Sequence, residues 1–126
     1  MPSIGKENFQ TVKATGSPST TDIAWAAGFM EGEANFRGSH NTLRFVVKQV
    51  NLEPLIWLRH IFGGSIGFIS RENERDTGQH VKDVYWWAVS GARARGVAYT
   101  VFTFLTAERK RQVRLALEEG DKYVVE

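Results

Sequence analysis

The stretch Trp25-Ala26-Ala27-Gly28-Phe29-Met30-Glu31-Gly32-Glu33-Ala34-Asn35-Phe36 decides how this chain is read. Just before it, Thr20 or Thr21 can cap a helix, and Asp22 falls in the first turn, where a negative charge suits the dipole. From Ile23 to Met30 the residues are apolar or small almost all round, the pattern of a helix buried on most sides. Two features run against stability. Gly28 stands in mid-helix, where glycine costs about 1 kcal/mol relative to alanine. Glu31 and Glu33 stand at the C-terminal end, where the dipole disfavours a carboxylate. One explanation covers both. Ala24, Ala27 and Gly28 let another backbone come close, and the acidic end, with free carbonyls such as that of Gly32, offers oxygen ligands to a hard cation. The plainer alternative is a solvated acidic end and a glycine that starts a turn.

Outward from this helix the periodicity changes. Ala34 to Gly38 and Thr42 to Val50 read as a hairpin, with Leu43, Phe45 and Val47 alternating against Thr42, Arg44, Val46 and Lys48. Asn51 caps a second helix with Pro54 near its start, and Leu55, Ile56, Leu58 and Ile61 form its apolar face. Gly63-Gly64 ends it. Ser65 to Ser70 and Lys82 to Ser90 read as two more strands around a polar loop, with Tyr85, Trp87 and Val89 on one face and Trp86 and Ala88 on the other. The end is helical: Ala92 to Leu105, a break at Thr106, then Glu108 to Glu119 closed by Gly120. The order helix, two strands, helix, two strands, helices predicts an α+β fold, a four-stranded antiparallel sheet with its helices on one face. Residues 1–20, with Pro2, Gly5, Gly16 and Pro18, read as a partly flexible lead-in, residues 21–120 as a single domain, and residues 121–126 as a tail.

Composition bounds the rest. A chain of 126 residues, 42% hydrophobic and with four Trp and eight Phe, can bury a real core. The net charge of +2 is too small to prove a nucleic-acid partner, so the distribution of charge carries that question. The absence of cysteine excludes disulfides and Cys-based zinc sites. The polar start is not a signal peptide and no apolar run is long enough for a bilayer, which makes a soluble intracellular protein the expectation. His40, His60 and His80 show no ligand spacing.

The quoted segment resembles the LAGLIDADG motif of homing endonucleases, in the form with Gly-Phe followed by two acids around a glycine. The resemblance continues through Gln49, Asn51-Leu52-Glu53-Pro54-Leu55, Phe62-Gly63-Gly64-Ser65-Ile66, Tyr85-Trp86-Trp87-Ala88-Val89-Ser90-Gly91, Phe104-Leu105 and Arg109-Lys110-Arg111-Gln112, and so spans residues 22–118. It departs from the motif at Ala34, where the last glycine is expected. The resemblance implies an αββαββα fold whose sheet forms a DNA-binding saddle. With one motif per chain it implies a homodimer joined at the motif helix, through Ala24, Ala27, Gly28 and Glu31. It further implies site-specific cleavage of double-stranded DNA at a long pseudo-palindromic target, as in intron homing and other mobile elements. Mg²⁺ or Mn²⁺ would support cleavage, and Ca²⁺ would bind without supporting it. Glu33, with the carbonyl of Gly32, becomes the metal ligand. Glu31 becomes a supporting or capping residue. Gln49 becomes the residue that positions water. Arg109, where the family often has Lys, becomes a charge stabiliser, because a guanidinium does not readily give up its proton.

On this reading the DNA lies on the open face of the sheet. Alternation points Asn35, Arg37 and Ser39 out of the first strand, and Thr42, Arg44, Val46 and Lys48 out of the second. Ser70, Lys82, Trp86 and Ala88 come from the second hairpin, and Arg71, Arg75 and His80 from its loop. The acids Glu108, Glu118, Glu119 and Asp121 are expected elsewhere. The bland alternatives are a solvated charged face, a strand-end Gln49 bonded to backbone and a solvated helix cation at Arg109. The functional alternative is a DNA-binding protein that does not cleave, or an RNA-splicing maturase of the same fold, and Ala34 is the feature that favours it. Neither a membrane nor a small-molecule substrate is expected.

Overall fold

The computed structural model describes residues 17–38, 43–70 and 83–121. Helix α1 spans Thr20–Glu33 and is capped by Ser19 rather than by Thr20 or Thr21. The Ser19 hydroxyl accepts the Asp22 N–H at 3.1 Å, and the Asp22 carboxylate accepts the Ser19 N–H at 3.2 Å, a reciprocal capping box. The helix is enclosed on one side only. Ala26, Ala27 and Met30 are buried, whereas Thr21, Ala24, Trp25, Gly28 and Gly32 are exposed. The near-uniform apolarity of α1 therefore exceeds what this chain alone covers.

Strands β1 (Ala34–Gly38), β2 (Leu43–Gln49), β3 (Ser65–Ile69) and β4 (Val84–Ser90) form one sheet in the order β1-β2-β4-β3, antiparallel at every pair. The architecture is the expected α+β one. On the inner face Phe36, Leu43, Phe45, Val47, Ile66, Trp87 and Val89 join α1 and the other helices in one apolar core. Phe36 and Phe45 meet edge to face at 4.9 Å.

Helix α2 (Glu53–Phe62) buries Leu55, Ile56, Leu58 and Ile61; its N-cap is Leu52 rather than Asn51, whose side chain still accepts the Glu53 N–H at 3.2 Å. It stops where Gly63 and Gly64 take positive φ of 75° and 101°. Gly64 also lies against β4, because a Cβ there would sit 2.6 Å from the Ala88 carbonyl oxygen. The Trp87 indole N–H donates to the Gly63 carbonyl at 2.9 Å and closes this turn from the core side.

The C-terminal helices differ from expectation at their ends. Helix α3 spans Gly91–Val101 and passes into a 3₁₀ turn, Phe102–Phe104, before the break at Thr106. Helix α4 spans Ala107–Asp121, so Gly120 lies inside it and does not close it. Among the described residues, no helix is long and apolar enough to cross a membrane.

Candidate nucleic-acid interface and its acidic end

The open face of the sheet follows from strand register. Asn35 lies opposite Val46, which lies opposite Ala88 and then Ser65. Arg37 lies opposite Arg44, and Arg44 opposite Ser90. Lys48 lies opposite Trp86, and Trp86 opposite Gly67. These rows line a groove of about 520 Å³ that begins at Glu33 and takes in Asn35, Arg37, Arg44, Val46, Lys48, Trp86 and Ile69. Two like charges directly opposite each other, as Arg37 and Arg44 are, destabilise a sheet. Among the described residues, Glu33 is the sole acid lining the groove. Folding alone does not favour that arrangement; a polyanion laid on it does.

Trp86 shapes the groove. Its indole lies against Gly67, where a Cβ would run into Cζ2 and Cε2 of the ring. The Arg44 guanidinium stands over the same ring at 5.9 Å. Alternation within one strand does not single out Gly67 or Ile69; the close approach at Gly67 emerges only once register sets it opposite Trp86. Ala88 lies on the same face but is only 5% exposed, too small and too enclosed to project as a contact. Ser70 is exposed just beyond β3. Ser39, Thr42, Arg71, Arg75, His80 and Lys82 lie outside the described residues.

The two acids at the end of α1 have separate environments. Glu31 bridges to the start of α4, where its carboxylate accepts the Thr106 N–H at 2.6 Å and the Thr106 hydroxyl at 3.1 Å. The Glu31 carbonyl accepts the Arg109 Nε–H at 2.6 Å, and Arg109 Nε lies 3.5 Å from the Glu31 carboxylate. Arg109 also donates from Nη1 to Gln112 at 2.7 Å and stacks over Phe36 at 5.4 Å. Glu31 thus caps α4 while Arg109 offsets the negative end of α1, which has no basic residue in its own last turn. Arg109 is a partly buried tie between helices, not a freely solvated cation.

Glu33 is exposed at the mouth of the groove, level with Lys48 because the next residue, Ala34, pairs with Val47. Gln49 is half-buried at the end of β2, opposite Tyr85. Among the described residues, no three His, Cys, Asp or Glu side chains come together. One chain therefore offers a hard cation the Glu33 carboxylate and the nearby Gly32 carbonyl, an oxygen donor set of the right kind but short of a full shell. Of the four residues expected at a dimer contact, Ala24 and Gly28 are exposed on α1 and Glu31 is half-buried. Ala27 has no exposed surface, because it packs into its own core, and cannot face a partner. A Cβ at Gly28 would meet nothing within 4 Å, so nothing within the chain requires glycine there.

The acids expected away from the sheet divide. Glu108 pairs with Arg111 at 2.6 Å on the outer side of α4. Glu118 and Glu119 instead line a second groove with Arg37 at the β1 edge, so that edge is less one-sidedly positive than alternation implied.

No family model matches this sequence, and no curated protein matches it. The fold is shared with solved structures. Over 83% of this chain and 71% of the other, the structure matches the homing endonuclease I-CvuI in complex with its target in the presence of 2 mM Ca, at a TM-score of 0.61 and 15% identity. The same enzyme bound to the I-CreI target with 2 mM Mg, its DNA not cleaved, matches at a TM-score of 0.59 and 15% identity over the same shares. The chain has the fold of a DNA-bound homing endonuclease.

Proposed function

We propose that the chain is a divalent-metal-dependent, site-specific DNA endonuclease of the LAGLIDADG type that acts as a homodimer. The observation that carries this reading is the groove: a face bearing Arg37, Arg44, Lys48 and Trp86, with the exposed Glu33 carboxylate at its inner end. The cations hold the backbone of a duplex, and Asn35, Val46 and Trp86 meet base edges and thymine methyls. The uncovered side of α1, with Ala24, Trp25 and Gly28, supports pairing with a second copy. That pairing brings two Glu33 side chains to one centre and calls for a nearly palindromic target. Glu33 and the Gly32 carbonyl would hold Mg²⁺ or Mn²⁺, which would supply an activated water and offset charge on the leaving oxygen. Gln49 orients water, and Arg109 acts by holding the end of α1 in place.

The alternative of binding without cleavage rested on Ala34. That residue has φ −77° and ψ 147°, an extended conformation open to any L-residue, so the substitution carries no backbone penalty. To test the reading, a randomised duplex library is incubated with the protein and Mg²⁺, and the new ends are sequenced. Wild type should yield one long recurring site, and Glu33→Gln should cut it about 10² to 10³-fold more slowly, a loss on the scale of removing one charge-stabilising group. Binding in Ca²⁺ should persist. A Glu33→Gln protein that cuts like wild type overturns the mechanism.

A further inference from the structure

We infer that the duplex is gripped a second time beyond the groove, where Arg93 of α3 joins Arg44 of β2 to hold a backbone phosphate at the outer end of each half-site. The inference rests on the duplex-DNA reading above and extends it to a residue and an element outside the sheet. Arg44 lies directly opposite Ser90, the last residue of β4, so the chain leaves the sheet beside Arg44. Arg93 follows Ser90 by three residues, less than one helical turn. Arg44 and Arg93 line one groove of about 470 Å³ with Trp86, Ala88, Ser90 and Ser65, and no acid among the described residues lines it. That groove shares Arg44 and Trp86 with the one that begins at Glu33, so the two form a single track across the molecule.

Position along the track decides what Arg93 meets. Between Lys48, level with Glu33, and Arg44, β2 advances four residues, about 14 Å at strand rise. That is the length of roughly four base pairs of duplex, given 3.4 Å per step on each strand. Side chains that read base edges rise from the strands into the groove. Arg93 instead stands at the end of the track on a helix that packs behind the sheet, where the rim of the duplex, its phosphates, passes. Arg93 is half-buried, so part of this long side chain packs against the protein. Arg44, already seated over Trp86, supplies the second cation, and two guanidinium groups at one position suit a phosphate.

A phosphate contact is blind to sequence, so the test needs no knowledge of the target. Full-length protein is titrated in Ca²⁺ against short duplexes of two unrelated sequences across a series of salt concentrations. Arg93→Gln should weaken binding by the same factor on both duplexes and make the slope of log K against log salt shallower by about 1 per chain, whereas Arg93→Lys should keep the wild-type slope. Arg93→Met, which retains the apolar stem, replaces the Gln variant if the latter melts early. An unchanged slope in a folded variant overturns the inference while leaving the DNA reading intact. A loss confined to one sequence overturns it in favour of a base contact. Wild type without salt-dependent affinity for either duplex removes both.

Discussion

Trp86 and Trp87 are neighbours in sequence and share almost nothing else. Trp87 points inward, has no exposed surface and donates its N–H to Gly63, so it holds the α2–β3 turn shut. Trp86 points outward, lies against Gly67, carries Arg44 over its ring and forms a wall of both grooves on the open face. One step along a pleated strand converts a core side chain into part of a surface. The role of an indole here follows from its face and its opposite number, not from its chemistry.

The contrast can be broken most severely from the inside. Trp87→Ala should cost about 3–5 kcal/mol by loss of packing, read as a fall in the urea midpoint at unchanged slope. Trp86→Ala should leave that midpoint near wild type and weaken DNA binding instead; equal effects on stability from both variants would remove the distinction. Gly67→Ala tests the outer packing directly. The added methyl must displace the Trp86 ring, at about 1–3 kcal/mol, and should shift tryptophan emission. An unshifted spectrum with full stability would show that the ring does not rest there. The smallest effect belongs to a site away from both faces. The Arg111 side chain bonds the Glu108 carboxylate and holds its pKa at about 2, down from 4.5. A lowered pKa means stability that is full above the usual carboxylate range and lost as pH falls toward 2. Because the pair is fully exposed, Glu108→Gln should only slightly flatten the acid limb of thermal melts recorded between pH 5 and pH 2.

Much of the fold was legible in the sequence because its signals are local. Alternation through Leu43, Phe45 and Val47 gave an inner face, and Gly63-Gly64 marked a turn that both positive φ values require. The rows facing the groove followed from the same period of two. Features set by distant partners were not legible. Ala27 and Gly28 are adjacent and both small, and only the packing of α1 shows that one faces the core and the other does not. The Gly67 approach exists because Trp86 comes opposite it in register, and register is not written in either strand alone. Gly120 looks like a stop, yet α4 continues through it. Ser19 outcompeted two threonines as a cap because Asp22 stands three residues after it and closes the reciprocal pair.

The tie from Glu31 to Thr106 spans 75 residues, and that from Glu31 to Arg109 spans 78. Contacts so far apart in sequence close a long loop and form only after the segments between them have been laid down. All four strands among the described residues precede residue 106. A nascent chain can therefore assemble the whole sheet before the ties from Glu31 to the last helix form. The order of synthesis closes the Glu31 ties last, after the pairing of Ala34 with Val47 has already set the neighbouring Glu33 level with Lys48.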